Sequence, residues 1–160
     1  MAMIKTYFSH TSSEVQIGNL LIGAGHSIAV QSMTNTNTLD TAATVQQAVE
    51  MAKAGCNIVR ITAPGTREAA NLEAIKNKLA QKGYEVPLVA DIHFNPKAAE
   101  VAAAIVEKIR INPGNYFDRN RGKTDWSDQE IREARERIAE RLFPLIELCK
   151  KHNTAIRIGT

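Results

Sequence analysis

The stretch NIVRITAPGTREAANLEAIKNKLAQKGYEVPLVADI, residues 57–92, decides the fold. Residues 57–62 are strand-like, with Ile58, Val59, Ile61 and Thr62 supplying branched side chains. Pro64-Gly65-Thr66 then opens a helix with Leu72, Ile75 and Leu79 on one stripe, and Gly83 ends it. Residues 86–92 predict the next strand. A strand, a helix and a second strand in that order imply parallel pairing through a right-handed crossover.

The same unit recurs on both sides of this stretch. Upstream, residues 28–33 predict a strand, with Ser, Thr and Asn punctuation running through Thr38. Asp40 or Thr41 caps a helix carrying Val45, Ala48, Val49 and Ala52 at helical spacing, which stops at Gly55. Downstream, Asn95-Pro96 is a cap and first-turn proline for a helix through Val106, and residues 108–112 predict the fourth strand. A long polar connection, 113–126, leads to a helix starting near Ser127. Its expected buried stripe is Ile131, Ile138, Leu142, Leu145 and Cys149, and Pro144 should kink or interrupt it. Residues 155–159 predict a fifth strand. Ahead of all these units, two apolar runs, 14–17 and 20–22, are joined by the turn pair Gly18-Asn19 and predict a hairpin over about 14–23.

Two α/β architectures accommodate this order. One is a five-stranded doubly wound sheet of flavodoxin type. The other is the N-terminal part of a TIM-type (β/α)8 barrel, about its first five strands and four helices. The fifth strand carries no covering helix, which favours the partial barrel, a single domain over 1–160 with its strand–helix units in 28–160.

Composition narrows the function classes. Of 160 residues 44% are apolar, enough to bury a core and to exclude global disorder. No apolar run approaches the roughly 18–20 residues of a membrane span, and the first 13 residues lack a signal-peptide core. Two cysteines, Cys56 and Cys149, form no CxxC pair and fit a cytoplasmic protein. Lys and Arg outnumber Asp and Glu by 20 to 17, and aromatics are only 5%, which argues against a nucleic-acid binder.

Where the arginines sit is more informative than the net charge. Val59-Arg60-Ile61, Ile109-Arg110-Ile111 and Ile156-Arg157-Ile158 each place an arginine between apolar neighbours in a predicted strand. Alternation puts each arginine on the face opposite the helices, which in a barrel is the interior. A guanidinium there is costly unless paired, and three at corresponding heights suit phosphate oxygens. Asp91-Ile92-His93 places Asp91 and His93 on one face at the end of the third strand. Asp91 either neutralises Arg60 or Arg110, or orients a hydroxyl, or works in acid–base chemistry. His93 adds a donor that changes charge near neutral pH.

Two loops add polar groups. Residues 31–38 are dense in hydroxyls and amides, which either bind phosphate or sugar oxygens or serve as ordinary caps and turns. Arg110-Ile111-Asn112-Pro113-Gly114-Asn115 is the stronger candidate, because barrel sites are built at strand ends. The basic segment 119–123 is either a phosphate-facing lid or a solvated loop. His10, His26 and His152 form no zinc-ligand spacing.

Taken together, Val30-Gln31-Ser32-Met33-Thr34-Asn35-Thr36, Val59-Arg60, Ala90-Asp91-Ile92-His93-Phe94, the Arg110 to Asn115 motif and Ile156-Arg157-Ile158-Gly159 resemble the 4-hydroxy-3-methylbut-2-enyl diphosphate synthase family. The resemblance runs from about residue 15 to 160, and the connection 116–126 with its following helix resembles the longer, plant-like form that carries an inserted domain. No Arg- and Ser-rich transit segment is present, so a bacterial cytoplasmic version is expected.

The resemblance implies an oxidoreductase of the methylerythritol phosphate route to isoprenoids. Such an enzyme reductively converts 2-C-methyl-D-erythritol 2,4-cyclodiphosphate with electrons from ferredoxin or flavodoxin. It further implies Arg60, Arg110 and Arg157 as diphosphate ligands, Asp91, His93 and Asn112 as secondary contacts, and Thr34 as a further one. A 4Fe–4S cluster held by three cysteines and a glutamate of a C-terminal domain completes the family's chemistry. Two separated cysteines do not supply it, so the expectation is an N-terminal part of the enzyme, inactive alone, with the remaining barrel and the cluster domain absent. An open sheet edge favours self-association into a homo-oligomer. Flavodoxin-like or other phosphate binding without catalysis remains the alternative.

Overall fold

The computed structural model of the chain describes residues 10–116 and 125–159, so the basic segment 119–123 lies outside the described residues. The hairpin comes first: strands β1 (Val15–Ile17) and β2 (Leu20–Ile22) pair antiparallel, Ile17 facing Leu20. Gly18 turns the chain with φ +58°, as the first central position of a two-residue II′-type loop requires. A side chain there would also strike the Glu107 side chain.

Five strands then form one parallel sheet in strict chain order. They are β3 (Gln31–Met33), β4 (Ile58–Thr62), β5 (Leu88–Asp91), β6 (Lys108–Ile111) and β7 (Ala155–Ile158). The connecting helices are α1 (Thr41–Lys53), α2 (Thr66–Gln81), α3 (Pro96–Ala103) and α4 (Asp128–His152). Flavodoxin-type sheets reverse direction after their second strand; this one does not. All four helices pack into one core with the same face of the sheet. Val59, Ile61, Leu88, Ala90, Ile109 and Ile111 on that face are at most 1% exposed. The arrangement is part of a (β/α)8 barrel, with a separate small cluster of Ile17, Ile58 and Val89 on the other face.

Local chemistry explains the helix starts. Asp40 accepts from the Ala43 N–H, and Asn95 from the Ala98 N–H ahead of Pro96. Ser127 and Glu130 form a reciprocal capping box.

Three expectations shift. The strand expected over 28–33 reduces to β3, because Asn57 takes the Val30 backbone: its side chain accepts the Val30 N–H and its own N–H donates to the Val30 carbonyl. Helix α4 runs through Pro144 without a break, and Pro144 is exposed, so the carbonyl it leaves unpaired faces water. Of its expected stripe only Leu145 and Cys149 are buried, Ile138 and Leu142 are half-buried, and Ile131 is exposed, because α3 is short and covers only one end of α4. No helix among the described residues is long and apolar enough to cross a membrane.

Candidate functional site

The face of the sheet away from the helices carries the polar residues that alternation predicts. Register arranges them in rows. Thr62, Asp91, Arg110 and Arg157 are successive partners across β4 to β7. Met33, Arg60, Val89, Lys108 and Ala155 form the row beneath. The three arginines are therefore not at one height, as alternation alone suggested. Arg110 and Arg157 share a row, and Arg60 starts one row lower because β5 is staggered against β4. The length of the Arg60 side chain makes up the difference.

Asp91 is the hub. It ends β5 with its side chain 1% exposed, in a position tolerable for a carboxylate only with charged partners. Arg60 Nη2 lies 2.7 Å from its Oδ2, Arg110 Nη1 3.4 Å from Oδ1, and His93 Nδ1 3.7 Å from Oδ2. Arg110 Nη1 donates to Oδ1, whereas the contacts at Oδ2 are ion pairs without hydrogen-bond alignment. Among the described residues Arg60 Nε has no acceptor, and Asp91 Oδ2 receives no aligned donor. Buried polar atoms are nearly always satisfied, so Arg60 Nε, next to the Nη2 that Asp91 holds, is the donor of this cluster with capacity for a further acceptor.

The structure thus brings together Arg60, Asp91, Arg110 and His93, with His93 half-buried at the rim. Arg157 stands beside Arg110 on β7, exposed and without an ion-pair partner among the described residues. Of the readings of Asp91, the geometry shows the neutralising one, and with both arginines rather than one of them.

Thr34 and Asn112 flank the cluster without joining it. Thr34 is buried, and its N–H donates to the Arg60 carbonyl, extending the β3–β4 ladder. The Asn112 side chain accepts from the Gly114 N–H and shapes the 3₁₀ turn at Pro113–Tyr116. Much of the hydroxyl-rich loop is occupied internally. Thr36 bonds Thr44, Thr38 donates to the Thr62 carbonyl, and Asn35 exchanges bonds with Gln47. For these residues the cap-and-turn reading holds.

Two residues of this face were given no role by the sequence reading. Gly159 follows β7, and its N–H donates to the Ile111 carbonyl. The Arg110 guanidinium occupies the space a Cβ would need there. Lys108, one strand position pair below Arg110, is only 8% exposed. Burial first, and the Arg157 charge second, push its ammonium below the ordinary value of 10.5. Its signal was the same alternation that revealed Arg110, one period earlier.

A cavity of about 820 Å³ opens at the other end of the strands, between the hairpin, Glu107 and the end of α4. Its lysines and glutamates are engaged elsewhere in the fold: Lys76 Nζ lies 2.6 Å from Glu107 Oε1, Glu107 Oε2 accepts the Leu88 N–H, Glu14 pairs with His26 and Lys150 with Glu147. Chemistry converges instead at the carboxyl ends, where parallel barrels build sites.

A parallel sheet covered on one side, with cations gathered on its open face, defines a barrel-type α/β domain with a cationic mouth. The chain belongs to the GcpE TIM-barrel domain family, whose model matches residues 12–160. It is 49% identical over 96% of its length to a protein of Parabacteroides distasonis named 4-hydroxy-3-methylbut-2-en-1-yl diphosphate synthase (flavodoxin). Proteins of the same name from Bacteroides thetaiotaomicron and Chlamydia muridarum are 49% and 44% identical over 96% and 95% of the chain. The chain spans about a quarter of these relatives, 26%, 25% and 26% of their lengths respectively.

Proposed function

We propose that this chain forms the part of a 4-hydroxy-3-methylbut-2-enyl diphosphate synthase that holds the diphosphate of 2-C-methyl-D-erythritol 2,4-cyclodiphosphate. The observation that carries the reading is the charge imbalance of the open face. Among the described residues Arg60, Arg110, Arg157 and Lys108 stand on this face with the carboxylate of Asp91, and Arg60 Nε is left without an acceptor. Guanidinium forks match phosphoryl oxygens, and their pre-set positions spare the ligand the cost of ordering them.

Each residue has a role in this reading. Asp91 aims Arg60 and Arg110, leaving Arg60 Nε and the Arg157 guanidinium to take phosphoryl oxygens. His93, at the rim with Nδ1 3.7 Å from Asp91 Oδ2, is a secondary contact to the ligand. Thr34 and Asn112 are secondary contacts that fix the two loops around the mouth.

The cluster chemistry does not fit these residues. Cys149 is buried in the helix layer, Cys56 precedes β4, and no group of three or more His, Cys, Asp or Glu is placed to hold metal among the described residues. In this proposal the 4Fe–4S cluster, the remaining barrel strands and the docking of the donor belong to other parts of the gene product. The flavodoxin in the relatives' names is the proposed donor.

Calorimetry of the cyclodiphosphate on the full-length gene product tests the cradle. Arg60→Ala and Arg110→Ala are each expected to weaken binding by at least tenfold, as loss of a charged hydrogen bond worth about 1.5–3 kcal/mol requires. The 160-residue chain alone is expected to show no turnover. Wild-type affinity in both variants would overturn the assignment.

A further inference from the structure

Lys108, like Arg157, is a cation of this face that has no ion pair with Asp91. It opens β6, and its register partners, Val89 and Ala155, are apolar or small. Arg60 occupies the same row two strands away and leans up to Asp91 at 2.7 Å. Lys108 has no hydrogen bond and no ion pair among the described residues, although it is 92% buried on the 8% exposure above. The neighbouring Arg157, diagonally above it on β7, is equally unpaired.

The Lys108 stem is buried while its ammonium still opens onto this face, and beside the Arg157 guanidinium, with no carboxylate paired to either among the described residues, the two like charges oppose each other in the free protein. The position has an explanation if a ligand brings the negative charge. We infer that Lys108 is a further anion-binding residue of this site, holding a phosphoryl group of a diphosphate between its ammonium and the Arg157 guanidinium. The inference rests on the diphosphate reading and adds a second contact region to it, below the arginines that share Asp91. The lowered proton affinity of Lys108 agrees, because an arriving anion offsets both of its causes, desolvation and the Arg157 charge.

An anion ligand and a structural lysine differ in what removing the charge does. The test uses the full-length gene product with inorganic diphosphate as the probe, and the variants Lys108→Met, Lys108→Arg and Arg110→Ala. Lys108→Met is expected to weaken diphosphate binding about tenfold and to flatten its salt dependence, while thermal stability without ligand is unchanged or higher. Lys108→Arg should keep affinity within a few fold. If Lys108→Met binds as wild type while Arg110→Ala does not, the Lys108 inference fails and the cradle stands. If neither variant loses affinity, the diphosphate reading itself fails. A lower melting temperature in ligand-free Lys108→Met, relieved in Lys108→Arg, would make Lys108 a structural residue and overturn the inference. Lys108→Gln, which keeps a polar end in the pocket, gives the same three readings where Met is not accommodated.

Discussion

At the residue scale, Gly159 and Arg110 share one space. The guanidinium lies where a Cβ would stand, so an added methyl displaces the end of a flexible side chain rather than the backbone. Gly159→Ala is expected to change unfolding free energy by less than about 1 kcal/mol, as surface-level substitutions do. It should nevertheless weaken diphosphate binding, because Arg110 is pushed from its 3.4 Å contact with Asp91. Binding equal to wild type in Gly159→Ala would show that the Arg110 position is not needed. The arginines themselves were legible from alternation alone. Gly159 was not, because nothing in a sequence states how close a side chain from another strand will pass.

At the element scale, the hairpin is a plug. Ile17 is fully buried against Ile58 and Val89, with Leu20, Ile22, Ala29 and Ala155 around it. These residues line the open face of the sheet at its amino-terminal end, so the hairpin closes the floor beneath the cations. Ile17→Ala should cost about 2–5 kcal/mol, the range for truncating a buried aliphatic residue. Leu21, on the outward side of the same hairpin, is the control, and Leu21→Ala should cost far less. Thermal unfolding of the two variants checks this, and equal losses would refute the plug. The turn pair Gly18-Asn19 revealed the hairpin in the sequence, but not its place. A three-residue strand holds too little information to specify its packing partner. For the same reason β3 came out shorter than its apolar pattern: Ile28 is 94% exposed, and the Val30 N–H is taken by the Asn57 side chain while its carbonyl accepts the Asn57 and Ile58 N–H groups.

At the scale of the whole molecule, the helix layer is one continuous core, and Cys149 reports on it. Burial pushes its thiol up from 9.0 to about 11. The native state therefore keeps this proton where the unfolded chain releases it, and stability is expected to fall as pH rises from about 9 toward 11. At neutral pH, alkylation should label Cys56 first and Cys149 only as α4 lifts from the core. Mass spectrometry after timed alkylation checks the order, and equal rates would contradict the packing. The strand–helix alternation, the capping residues Asp40, Asn95 and Ser127, and the two-faced strands around Arg60, Arg110 and Arg157 were all determined by sequence, because each depends on neighbours a few residues away. Tertiary structure alone decided the strand order, and with it the partial barrel over the doubly wound sheet. It also decided the stagger that sets Arg60 one row below Arg110, the gathering of two arginines on Asp91, and the burial of Lys108. These depend on which strands become neighbours and at what register, a choice made by packing between segments tens of residues apart.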